Sequence, residues 1–309
     1  MFPAAAGSSG HEAAHTGEPL FRRMADALPT GVVQIDQRYG VVFANRRLEA
    51  VLGVAAEELT LDRLLVPFEA DDRQLLRLAL DRALSLHGDD ELEVDARVGT
   101  TSVRCAITIV PVTDQDGTPN ALVTVNDITR SARLRDELRA RATFDSLTGC
   151  HNRGSAMAAL DMALVDASAV IGVLFIDLDR FKPVNDRLGH AVGDELLAAV
   201  ANRLRVVCRA SDIVGRLGGD EFMVVCRDLH RDTDEALSIA DRVHLALLHP
   251  FPLTDHTVEV GASIGVACGT SGMTAGDVLA LADEAMYQAK RDGTGPVLNP
   301  NRIRRTQRA

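Results

Sequence analysis

From residue 144 onward, helical and strand-like patterns alternate, and this alternation constrains the fold more than any other feature of the sequence. A helix over 153–165 precedes an apolar strand at 170–176, inside the longest apolar stretch of the chain, 167–176. A second helix, 193–208, leads into strands at 213–216 and 222–226, joined by a tight turn at Gly218-Gly219. A helix over 233–247, a strand over 257–266 and a helix over 275–291 follow. Such alternation predicts a central sheet covered by helices, an α/β domain over 144–297. The preceding stretch, 18–129, reads differently. Val32 and Ile35 are separated from Val41, Val42 and Phe43 by a polar turn closed at Gly40, as in a hairpin. A helix over 46–52 stops at Gly53, and a second covers 72–87 with Leu75, Leu76, Leu78, Leu80 and Leu84 at near-helical spacing. Strands over 91–98, 102–112 and 121–126 complete an antiparallel sheet with helices on one face. The whole chain is therefore expected to be a two-domain α+β protein.

Between the two patterns, 130–143 is charged and helix-forming, with Leu134 and Leu138 four apart. It reads equally as a solvated linker or as a short parallel coiled coil, since coiled coils declare themselves only over about three heptads. Residues 1–17 are small and polar without a basic start, the pattern of a disordered leader and not of a secretory signal. Residues 298–309 form a basic tail. No segment approaches the roughly 20 apolar residues that span a bilayer. Five cysteines, widely spaced and odd in number, fit a reduced cytoplasmic protein. A net charge of −11 argues against broad nucleic-acid binding, though an acidic protein can still hold a nucleotide through a cation and local lysines.

Two segments carry chemistry. In Arg216-Leu217-Gly218-Gly219-Asp220-Glu221-Phe222, paired glycines permit positive φ and close ligand approach, and the paired carboxylates after them are expected to project, hydrated and ionised, from a hairpin tip. In Phe175-Ile176-Asp177-Leu178-Asp179-Arg180-Phe181-Lys182, an acid ends a buried strand, where ligands of α/β sheets gather. Asp177 beside Asp220 would make a hard, oxygen-only site suited to Mg²⁺ on nucleotide phosphates, with Lys182 just beyond. Helix capping is the plainer reading for Asp179.

These segments, together with Asp145-Ser146-Leu147-Thr148-Gly149, Asn152-Arg153, Asn185-Asp186, Gly189-His190, Gly193-Asp194, Ser263-Ile264-Gly265 and the run from Ala282 to Lys290, resemble the GGDEF family, the diguanylate cyclases. The first domain resembles a PAS sensory module through the run from Leu28 to Val32, Asp36, Gly40, Asn45, Leu52-Gly53 and the closing run from Asn126 to Thr129. The resemblance implies condensation of two GTP into cyclic di-GMP, with Asp177, Asp220 and the Leu178 carbonyl on Mg²⁺, or Mn²⁺ as its substitute. It implies Asp220 or Glu221 as the proton acceptor and Lys182 as a charge stabiliser. The backbone N–H groups of Arg180 and Phe181 and the glycines Gly218 and Gly219 would meet the triphosphate, with Lys290 at its terminal phosphates. Asn185 and Asp194, with His190 nearby, would read guanine, because an aspartate accepting from guanine N1 and N2 is badly paired against adenine.

Each domain would hold one GTP and act only in a homodimer, so 130–143 then reads as a dimer stalk. Arg209-Ala210-Ser211-Asp212 resembles the family's inhibitory site for cyclic di-GMP, with Arg242 as a further guanidinium; without its spacing it would pass for a surface ion pair. Thr294, where a basic residue is common, and Cys150 and Gly154 depart from the family pattern. A catalytically silent nucleotide-binding regulator and a PAS-driven dimerisation scaffold are the alternatives, and the intact hairpin argues against the first. The ligand of the first domain is not legible: His87, its one histidine, sits beside Gly88 at a helix end, as a surface histidine would.

Overall fold

The computed structural model describes residues 22–54, 59–114, 116–165, 170–229 and 233–299. The expected leader, 1–17, and the tail beyond Asn299 lie outside the described residues, as does part of the apolar stretch before Val170. The chain divides between Asp136 and Glu137 into two compact units.

The first unit is a five-stranded antiparallel sheet in the order β2-β1-β5-β4-β3. Its strands are β1 (Gly31–Asp36), β2 (Val41–Ala44), β3 (Asp90–Val98), β4 (Thr101–Thr113) and β5 (Pro119–Asp127). The β1–β2 turn closes because the Asp36 carboxylate accepts from the N–H groups of Arg38 (2.8 Å) and Gly40 (2.7 Å). Asn45 is fully buried and caps α1 (Arg46–Leu52). Its Oδ1 accepts from Leu48 and Val32, while its Nδ2 donates to the carbonyls of Ala25 and Thr30, so one amide joins helix, strand and the preceding segment. Gly53, at φ 67°, ends α1 as expected.

α2 (Leu61–Leu65) is too short to show a period and was not expected from the sequence. α3 (Ala70–Leu84) begins two residues before the expected helix and stops short of His87, because Leu86 and Gly88 take positive φ. Ile35, Leu48, Leu52, Leu80, Ile107 and Ile109 form the core beneath these helices. That core encloses a space of about 20 Å³ lined wholly by apolar side chains, among them Leu52, Phe68, Leu76 and Ile107. α4 (Thr129–Thr143) leaves both Leu134 and Leu138 more than half exposed.

The second unit is a mixed six-stranded sheet in the order β13-β12-β7-β9-β8-β6. Its middle strand, β7 (Val170–Asp179), is buried on both faces from Val170 to Ile176, which is why it reads as a continuous apolar run. β8 (Ile213–Gly218) and β9 (Glu221–Leu229) form the expected hairpin, and β9 pairs antiparallel with β7. Helices cover both faces: α5 (Arg153–Leu164) and α9 (Ala275–Asp292) on one, α7 (His190–Val207) and α8 (Thr233–Leu247) on the other. The single strand expected over 257–266 is instead two. β11 (Thr257–Val258) pairs with β10 (Phe251–Pro252), and β12 (Gly261–Gly269) joins the main sheet between β7 and β13 (Val297–Leu298). β6 (His151–Asn152) closes the other edge beside β8. A further helix, α6 (Phe181–Leu188), follows β7 and had not been expected. Pro183 in its first turn and Gly189 immediately after it were the available signals. Among the described residues no helix is long and apolar enough to cross a membrane.

Candidate active site

The carboxylates expected from the two motifs meet at the carboxyl end of β7. Asp177 lies opposite Glu221 in the β7–β9 register, and the Leu178 N–H donates to the Asp220 carbonyl at 3.3 Å. The glycines of the hairpin tip are exposed, while the two carboxylates after them sit against the end of β7. The expected hydration of the two carboxylates is only partial. Asp220 and Glu221 are both half-buried. Burial pushes the Asp220 carboxyl up, and the charge of Asp177 adds to it; burial, then Asp177 and Asp220, raise Glu221. Lys290, from the end of α9, donates to Asp177 Oδ1 at 2.6 Å, and this bond holds the ammonium above its ordinary range.

Asp179 does not cap a helix. It accepts from the Ser263 hydroxyl at 2.7 Å across the β7–β12 pair. The residue at the start of α6 is Arg180, in the left-handed conformation at φ 58°, and no side chain caps that end. The N–H groups of the first turn of α6 thus face outward from the sheet end without a side-chain partner, the arrangement that receives anions. Phe181 anchors this turn by burying its ring in the core, and Lys182 beside it is exposed. Asn185 is half-buried, with its side chain against the backbone of Gly193. A Cβ on Gly193 would stand 1.8 Å from Asn185 Oδ1, so only glycine lets α6 and α7 come this close. Asp194 and His190 are exposed on the first turns of α7. Asn185, His190 and Asp194 are thereby gathered at the α6–α7 corner.

A cleft of about 690 Å³ adjoins this end of the sheet, lined by Asp179, Arg180, Glu259, Ser263, Lys290 and Thr294 among others. It excludes Asp177, Asp220 and the α6–α7 corner, so it flanks the carboxylates and does not contain them. No cluster of three or more His, Cys, Asp or Glu ligands forms among the described residues. The donors on hand are two carboxylates and a strand carbonyl.

Two residues that sequence reasoning left without a role stand directly behind the hairpin. Arg216, on β8, donates to both oxygens of Asp145 and to the carbonyl of Gly219. Asp145 had been legible as part of a motif, but nothing in its neighbourhood along the chain names its partner 71 positions away.

Elsewhere in the unit, Arg209 and Asp212 do come together. The Arg209 N–H donates to Asp212 Oδ2 at 2.8 Å, while the guanidinium pairs with Glu235 at 2.8 Å. Asp212 Oδ1 is buried and has no hydrogen-bond partner among the described residues. Both residues line a pocket of about 300 Å³ together with Phe144, His151 and Arg205. Arg242 Nε donates to the Val207 carbonyl at the end of α7.

Comparison with known proteins accords with this geometry. Residues 142–296 match the diguanylate cyclase GGDEF domain, and residues 20–128 match the PAS fold. The diguanylate cyclase TpbB of Pseudomonas aeruginosa (strain UCBPP-PA14) is 46% identical over 172 residues, 53% of this chain and 39% of that protein. DgcE of Escherichia coli (strain K12), named as a probable diguanylate cyclase, is 32% identical over 282 residues, 88% of this chain and 25% of its own length. The chain thus spans between a quarter and two fifths of the length of these relatives. Among solved structures, the coiled coil and GGDEF domain of DgcB from Caulobacter crescentus, in complex with c-di-GMP, shares the fold. It has a TM-score of 0.51 and 24% identity over 55% of this chain and 93% of that one. The chain belongs to the GGDEF diguanylate cyclase family, and it carries a PAS fold ahead of that domain.

Proposed function

We propose that this chain condenses two molecules of GTP into cyclic di-GMP with release of pyrophosphate, one GTP being held by each of two copies of the chain. The observation that carries the reading is the convergence of Asp177, Asp220 and Glu221 at the carboxyl end of β7, beside Lys290 and the uncapped start of α6. The donor set fits a divalent cation. Asp177, Asp220 and the Leu178 carbonyl offer only oxygens, and two carboxylates suffice for Mg²⁺, or Mn²⁺ in its place, when substrate phosphates and water fill the remaining positions. When bound there, the cation supplies neutralisation of phosphate charge.

The chain's own residues do the rest. Gly218 and Gly219 and the first N–H groups of α6, at Arg180 and Phe181, cradle the triphosphate, and Lys290 and Lys182 meet its charge. Asn185 and Asp194, with His190 beside them, hold guanine. Asp220 or Glu221 takes the proton of the 3′-hydroxyl, a task suited to carboxylates held above their ordinary range. The 3′-oxygen then bonds to the α-phosphorus of the other copy's GTP, and the bond from that phosphorus to pyrophosphate breaks. Leu134 and Leu138 on α4 supply the dimer contact, the PAS unit sets its activity, and Arg209 with Asp212 binds the product to shut it off. A reaction fed by GTP belongs in the cytoplasm. A nucleotide panel tests the reading: GTP should give cyclic di-GMP, while ATP should give almost no cyclic dinucleotide. Comparable yields of cyclic di-AMP would show the α6–α7 corner is not a guanine reader.

A further inference from the structure

The turn that presents Asp220 has no packing of its own. Gly218 and Gly219 adopt φ of 152° and 52°, and nothing lies within 4 Å of where a Cβ would stand on either. Glycine has wide backbone freedom, so two in succession fix no conformation unless another residue holds them. The holder is Arg216, whose side chain is 14% exposed. Its Nε and Nη2 both donate to the Gly219 carbonyl, at 3.0 and 2.8 Å. Its Nη1 reaches the two oxygens of Asp145 at 3.1 and 3.3 Å. Asp145 is fixed in turn, accepting from the N–H (2.9 Å) and hydroxyl (2.6 Å) of Thr148, while its own N–H donates to the Cys150 carbonyl at 2.8 Å. The peptide between Gly219 and Asp220 is therefore gripped on one side by Arg216, and the Asp220 carbonyl on the other by the Leu178 N–H.

We infer that Arg216, oriented by Asp145, is the positioning residue of the reaction, fixing the Gly219–Asp220 peptide so that the Asp220 carboxylate faces Asp177. The inference rests on the reading of this site as a GTP-condensing centre. A guanidinium is required because its planar fork serves two partners at once; a lysine offers one compact charge and cannot hold both. Neither side chain touches the α6–α7 corner, though the Gly219 that Arg216 holds belongs to the proposed triphosphate cradle, so loss of the grip should cost the reaction step more than it costs nucleotide affinity.

The test uses the full chain carrying Arg216→Ala, Arg216→Lys or Asp145→Asn. Displacement of a reacting group by an ångström costs about 10²-fold in rate, so Arg216→Ala should lose kcat on that order, while the affinity for a non-hydrolysable GTP analogue, held mainly at the α6–α7 corner, should weaken by a smaller factor. Arg216→Lys should not rescue it. Amide exchange at Gly219, Asp220 and Glu221 should quicken in all three variants while the sheet stays protected. Wild-type kcat together with wild-type exchange at the hairpin would overturn the inference. If Arg216→Ala does not fold, Asp145→Asn carries the same test, since it keeps the shape and can keep the Thr148 bonds while removing the charge that orients Arg216. A chain that makes no cyclic di-GMP contradicts the functional reading alone. Hairpin exchange would still decide the role of Arg216 in that case.

Discussion

Asp220 and Glu221 are the residues on which the account turns, and their state is set by position more than by type. Burial and the neighbouring Asp177 both disfavour their charged forms. The folded chain therefore binds the Asp220 proton more tightly than the unfolded chain does. This group lowers stability at neutral pH, and the penalty fades as pH falls into the range where a free carboxylate takes up its proton. Asp220→Asn removes the charge and should raise the Tm of metal-free protein at neutral pH, by an amount on the order of 2 °C. The gap between variant and wild type should narrow on acidification. A variant that melts below wild type at neutral pH would show that Asp220 is not held against its own charge. At this scale the sequence made the carboxylates legible, because paired glycines before paired acids are a local pattern. It could not show their burial, nor that Asp179 serves Ser263 in place of a helix end, because both facts come from strands that meet only in the folded sheet.

At the scale of elements, legibility followed length and period. α1 and α8 occupy the expected residues, since each has a clear apolar period with a glycine stop or an acidic first turn. α2 and β13 are too short to declare a period, and α6 was hidden because its first turn overlaps the motif that follows β7. α4 is the element with the most to test. Leu134 and Leu138 lie exposed on it, and at its far end Asn152 donates to the carbonyls of Arg141 and Ala142 while capping α5. The turn that holds Asp145 is thus bonded to the last residues of α4. Inserting two residues between Leu134 and Leu138 rotates one end of the helix against the other by more than half a turn. The insertion should alter turnover several-fold while GTP affinity holds. Turnover unchanged by it would reduce α4 to a tether.

For the molecule as a whole, the proposed function includes product binding at Arg209 and Asp212 as a brake on synthesis. Arg209, Asp212 and the buried, unpartnered Asp212 Oδ1 face a pocket in the cyclase unit, well separated along the chain from Asp177. Arg209→Ala should keep the initial rate and continue to high product levels where the wild type stalls. Identical progress curves with added cyclic di-GMP would make this element structural only. The PAS unit, by contrast, has a core space of about 20 Å³ with no polar lining, so its signal was legible neither in the sequence nor in the cavity. The proposed function depends on the chemistry assigned to the end of β7. The most direct test is to incubate the wild-type chain and Asp220→Asn with GTP and Mg²⁺ and to resolve the nucleotides over time. The account predicts cyclic di-GMP with two pyrophosphates per product from the wild type, and none from a variant that remains folded. Equal cyclic di-GMP from both proteins, or none from the wild type, would contradict it.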